Sequence, residues 1–147
     1  MSGWRIGMGG GAPEFIAEVL KVKSQMDSGM FKPLQLAAVE ALNQSPEWFE
    51  ELNSEYVRRR VAAGRIFKTL GAVYDHDTAG LFLWGRVPSE YAGNGMTAGE
   101  VVSERVLRQA GVFITPGFIF GKNGNDYIRI SLCAKPEVLE RANKKIV

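Results

Sequence analysis

Tyr127-Ile128-Arg129-Ile130-Ser131-Leu132-Cys133 (YIRISLC) has the two-residue period of a strand with one buried face. Ile128, Ile130 and Leu132 share one side; Tyr127, Arg129, Ser131 and Cys133 share the other. Such a strand needs neighbours, and two upstream stretches qualify. They are Leu81 to Val87 (LFLWGRV) and Val112 to Thr115 (VFIT), limited by Pro88 and Pro116. Between them, Thr97-Ala98-Gly99-Glu100 is a capping box for a helix through Val101, Val102, Val106 and Leu107 that Gly111 closes. Lys135-Pro136-Glu137 starts a last helix with Val138, Leu139, Ala142 and Ile146 as its apolar stripe. The second half therefore reads as a layered α/β unit, α+β-like in plan. Its sheet is small, mainly antiparallel and covered by helices.

Toward the N-terminus the period changes to that of helices. Pro13 and Glu14 open one that Phe15, Ile16, Val19, Leu20 and Val22 carry to about Gln25, where Asp27-Ser28-Gly29 breaks it. Pro33 opens a second, with Leu34, Ala37, Ala38, Ala41 and Leu42 as its apolar face. Ser45-Pro46-Glu47 joins an N-cap residue, a proline at the first helical position and an acid suited to the helix dipole. Phe49, Leu52, Tyr56, Ala63, Ile66, Phe67 and Leu70 then extend a helix to about Gly71, roughly 25 residues and about 37 Å long. A helix of that length outruns a small core and suits a spine between two lobes. Ahead of all this, Gly3 to Met8 reads as a short strand entering a glycine cluster.

The composition, 46% hydrophobic and 23% charged over 147 residues, is that of an ordinary globular chain. A net charge of +2 and one basic triplet, Arg58-Arg59-Arg60, whose members point in different directions on a helix, do not indicate nucleic acid. Cys133 is the single cysteine, which excludes an internal disulfide and fits a reducing compartment. There is no signal-peptide pattern and no run near the eighteen or so apolar residues of a membrane span, so a cytoplasmic protein without a membrane partner is expected.

Few residues suggest chemistry. Gly7-Met8-Gly9-Gly10-Gly11-Ala12 formally fits a dinucleotide fingerprint, but no second parallel strand ending in an acid follows, so a flexible connection accounts for it better. His76 is the sole histidine, which excludes a multi-histidine metal site and leaves a solvated turn. Cys133 carries no sign of an activated thiol, and Trp48 and Trp84 read as packing residues. Arg129 leaves the core face on a rigid strand, where a guanidinium suits bidentate capture of a carboxylate or phosphate; an inter-element salt bridge is the alternative. Arg5, between Trp4 and Ile6 on the opening strand, has the same two readings.

Met1-Ser2-Gly3-Trp4-Arg5-Ile6-Gly7 resembles the tail of the Ser-Lys-x-x-x-Met-x-Gly-x-Arg-x-Gly motif of class I/II, fold-type I aminotransferases that use pyridoxal 5'-phosphate. In that family the lysine forms the Schiff base and the arginine eight residues later grips the cofactor phosphate. By the resemblance Arg5 is that arginine, and the lysine falls four residues before Met1, so the chain reads as a piece of a longer enzyme, inactive alone and without a catalytic residue of its own. Lys21, Lys23 and Lys32 do not match the motif. Met26 to Gln35 resembles the interdomain segment that approaches the partner's active site in the family dimer. The stretches 80–84, 111–117 and 126–131 resemble strands and loops of the small domain.

The resemblance implies the fold of the C-terminal part of these enzymes. Residues 1–44 would be the end of the large cofactor domain with the interdomain segment, and residues 45–147 the long linking helix and small domain. It further implies transfer of an amino group between an L-amino acid and a 2-oxo acid, a homodimer, and Arg129 as the group that binds the substrate α-carboxylate. Two other functions remain open: a C–S β-lyase on the same scaffold, and a non-catalytic ligand-binding or regulatory domain.

Overall fold

A computed structural model describes residues 2–147. Met1, the first residue of the motif quoted above, lies outside the described residues. The chain divides into two compact units, Met1–Glu50 and Glu51–Val147.

The first unit is helical. Helix α1 spans Pro13–Met26 and α2 spans Lys32–Leu42, each with proline in its first turn, where a missing N–H costs nothing. Neither buries a side chain, and Phe15, Val19, Leu20 and Val22 are exposed. The expected strand over Gly3 to Met8 does not form. Ser2–Trp4 makes one 3-10 turn, Arg5 takes a left-handed backbone with φ 55°, and residues 6–12 have no regular structure. The physical reason is pairing: among the described residues this unit has no second strand, and a lone strand cannot satisfy its N–H and C=O groups.

Helix α3, Pro46–Thr69, is 24 residues long and passes from the first unit into the second. Its last turns bury Ala62, Ala63, Ile66 and Phe67, a single stripe at helical spacing. The second unit adds β1 (Val73–Tyr74), β2 (Phe82–Arg86), α4 (Ala98–Ala110), β3 (Thr115–Pro116), β4 (Tyr127–Ser131) and α5 (Pro136–Ile146). The sheet order is β1-β2-β4-β3 with every pair antiparallel, in line with the mainly antiparallel sheet expected from the sequence. Leu83, Ile128, Ile130 and Leu132 meet Phe67 and Ile66 of α3, Val102 and Val106 of α4 and Leu139 of α5 in one core. The helices thus cover one face of the sheet. The other face carries Phe82, Trp84, Arg86, Tyr127, Arg129 and Ser131, all exposed or half-buried.

Two strand limits differ from expectation. Only Thr115 and Pro116 of the VFIT region pair with β4, because the Ser103 hydroxyl donates to the Ile114 carbonyl and Pro116 has no N–H to extend the ladder. Strand β4 stops at Ser131, because Arg59 of α3 donates to the carbonyls of Leu132 (3.1 Å) and Cys133 (3.4 Å). Arg59 also pairs with Glu55 at 2.8 Å. Hydrogen bonds from Arg59, then from Arg58, hold the Glu55 carboxyl below its usual range.

The capping box of α4 is formed as the sequence indicates. The Glu100 N–H donates to Thr97 Oγ1 and the Thr97 N–H to Glu100 Oε2, both at 3.3 Å, and Gly111 closes the helix in the left-handed conformation. Thr97→Ala should therefore lower the stability of the protein by about 1 kcal/mol, read as a shift in the urea midpoint with an unchanged slope.

Candidate functional site

Arg129 sits in the middle of β4, an inner strand. It lies opposite Trp84 on β2 and Thr115 on β3. Pleating sends its two neighbours, Ile128 and Ile130, into the core and the arginine to the open face. There its Cζ lies 4.3 Å from the ring centroid of Phe82 and 4.3 Å from that of Phe120, the latter on the loop after β3. Trp84 completes an aromatic wall, edge-on to Phe120 at 5.6 Å and stacked on Tyr127 at 5.5 Å.

The hydrogen-bonding state of Arg129 sets it apart. Its Nε is buried and has no partner, and among the described residues the side chain makes no ion pair. Arg86, on the same face, stands 3.7 Å from Asp126, which also accepts from Ser89 Oγ at 2.8 Å. A guanidinium held on a strand beside two rings, with no carboxylate of its own, is suited to an incoming anion. The salt-bridge alternative for Arg129 has no partner here. A cleft of about 770 Å³ opens beside this wall toward β1, lined among others by Tyr74, Asp75, Trp84, Arg86 and Tyr127.

Arg5 belongs to the first unit. It is exposed, its backbone is left-handed, and among the described residues it has no ion pair. The position is a turn and not the strand expected from the sequence, so its orientation comes from a φ that costs roughly 1–2 kcal/mol in a non-glycine residue. Lys23 is held by Asp27 at 2.7 Å and Lys21 lies 3.9 Å from Glu18. His76 packs its ring against Tyr74 at 4.3 Å. Cys133 is exposed as a free thiol. Among the described residues no cluster of His, Cys, Asp or Glu could hold a metal ion, and no helix is long and apolar enough to cross a membrane.

Phe82 and Phe120 flank Arg129, and sequence reasoning does not single them out. The alternation in LFLWGRV does place Phe82 and Trp84 on one face. Phe120 lies nine residues before Arg129, on the loop joining the paired strands β3 and β4, and no alternation in the sequence marks that this loop folds back over the arginine.

The family model for aminotransferase class I and II matches residues 1–146. An LL-diaminopimelate aminotransferase of Oleidesulfovibrio alaskensis is 38% identical over 146 residues, which is 99% of this chain and 36% of that enzyme. Among solved structures, apo-BacF from Bacillus subtilis superposes with a TM-score of 0.77 at 32% identity, over 99% of this chain and 36% of that one. A probable N-succinyldiaminopimelate aminotransferase from Thermus thermophilus gives a TM-score of 0.72 at 27% identity, over 92% and 35%. The chain thus spans about 36% of the length of the curated relatives it matches. Over that span it belongs to the class I and II aminotransferase family.

Proposed function

We propose that this chain is the C-terminal, substrate-gripping part of a cytoplasmic, homodimeric aminotransferase dependent on pyridoxal 5'-phosphate, acting on an L-amino acid and a 2-oxo acid. The observation that carries this reading is Arg129, fixed on an inner strand with aromatic rings beside it and, among the described residues, no carboxylate partner. In this reading residues 1–44 end the cofactor domain and residues 45–147 form the linking helix and small domain. The exposed apolar side chains of α1 would then pack against the rest of the enzyme, and the exposed free thiol of Cys133 suits a reducing cytoplasm.

The residues present fit part of the cofactor's needs. Arg5, exposed and without an ion pair among the described residues, suits one side of a phosphate; in this reading the lysine and the groups that hold the ring belong to the rest of the enzyme. When bound, pyridoxal phosphate supplies the electron sink that lets the α-proton of an amino acid depart. Arg5 would anchor the phosphate by charge-assisted hydrogen bonds. Arg129 would take the substrate carboxylate, which fixes two of the substrate's atoms and so orients the α C–H bond. Neither arginine moves a proton: both stay charged, and their contribution is binding and orientation.

The test is product analysis with the purified full-length protein, the cofactor, a panel of L-amino acids and a 2-oxo acid. Formation of a new amino acid is the expected result. Ammonia and a thiol as the products, or no turnover with any member of the panel, would overturn the reading.

A further inference from the structure

A guanidinium on a flexible three-carbon arm does not hold its plane by itself, because each rotatable bond adds freedom that binding must remove. At Arg129 two rings restrict it. Phe82 comes from β2 and Phe120 from the loop that follows β3, each 4.3 Å from Cζ. Phe120 is braced in turn by the edge of Trp84 at 5.6 Å.

The loop that carries Phe120 is closely packed at its base, where Gly117 meets Gly124. A Cβ added to Gly117 would lie 2.3 Å from the carbonyl oxygen of Gly124, and one added to Gly124 would lie 2.2 Å from that of Gly117. Neither residue has room for a side chain, so the two legs of the loop touch and Phe120, between them in sequence, is carried over the arginine. Both rings stand at cation–π distance from the guanidinium carbon, a contact that uses no hydrogen-bond donor. Nε is buried, so the donors left for a ligand are the two terminal nitrogens.

We infer that Phe82 and Phe120, the latter held by the Gly117–Gly124 contact, are positioning residues that preset Arg129 to receive a carboxylate end-on through its two terminal nitrogens. The inference rests on the reading of Arg129 as the carboxylate-binding group and adds what orients it. Holding the plane before the ligand arrives reduces the ordering cost of binding, as preorganisation does generally.

The experiment uses the full-length protein loaded with pyridoxal phosphate and an unreactive probe, propionate, titrated calorimetrically. Arg129→Met, Phe120→Leu, Phe82→Leu and Phe120→Tyr are compared with the wild type, with thermal melts to confirm folding. Loss of binding in Arg129→Met, weakening by about tenfold in each leucine variant and near-normal affinity in Phe120→Tyr, which keeps the aromatic face, are expected. In steady state the leucine variants should raise KM for the amino acid more than they lower kcat. Undiminished propionate binding in Arg129→Met would overturn the carboxylate reading itself. Loss in Arg129→Met with wild-type affinity in both leucine variants would overturn only the positioning role. Should one leucine variant fail to fold, the other and Phe120→Tyr still decide.

Discussion

Arg129→Met should lower kcat/KM of the full-length enzyme for its amino acid by roughly 10²- to 10³-fold, while leaving the protein as stable as before or more so. Two charge-assisted hydrogen bonds to a carboxylate are lost together, and truncating one side of such a pair costs about 2–5 kcal/mol. The stability half of the expectation comes from the buried, unpartnered Nε. Leaving such a donor unsatisfied costs about 1–3 kcal/mol, and methionine removes it while still filling the space beside Phe82 and Phe120. Arg129→Lys should not restore activity, because an ammonium is a point charge with neither the fork nor the flat face. Steady-state kinetics and denaturant melts on the same preparations check both halves. A methionine variant with kcat/KM within twofold of wild type would refute the assignment.

Phe67→Ala should destabilise the protein by about 3–5 kcal/mol, the largest effect expected of any single core change. Phe67 is fully buried at the junction of α3 with the sheet, 5.1 Å from the Tyr74 ring. Its ring fills the space left by the absent side chain of Gly85, where a Cβ would stand 3.0 Å from its carbons. Gly85→Ala alone should therefore cost about 1–3 kcal/mol by overpacking. The pair Phe67→Leu with Gly85→Ala should cost less than the sum of the two, because the smaller side chain makes room for the methyl group. Equilibrium denaturation of the four proteins gives the cycle. Strict additivity would mean that the two residues do not share a space.

The placement of Arg129 shows how far local pattern reaches. The alternation Ile128, Arg129, Ile130 sends the arginine away from the core whatever the sheet's topology, because successive side chains on a strand must point to opposite faces. Helix limits were legible for a similarly local reason. Thr97 with Glu100, Gly111, and the prolines at the starts of α1 to α3 and α5 act on backbone groups within one turn of themselves.

Local pattern placed β2 and β4, but it did not settle every strand. Gly3 to Met8 has strand-like residues and, among the described residues, no strand to pair with. Ile114 has its carbonyl taken by Ser103, eleven residues upstream in α4. Val73 and Tyr74 form β1 only because Arg86 and Gly85 lie beside them. A ladder is a contract between distant segments, so its extent depends on who is adjacent after folding.

The same division applies to the candidate site. The sequence by itself determined which residues can offer charge and to which face of β4 the arginine goes, since charge and pleat are properties of single residues and their immediate neighbours. Only the tertiary structure decided that Phe82 and Phe120 flank Arg129, that its Nε is buried, and that two glycines close the loop above it. The Phe82 contact joins segments 47 residues apart, and the Phe120 and Gly117–Gly124 contacts depend on how the β3–β4 loop folds, so none of them follows from the pleat of β4 alone.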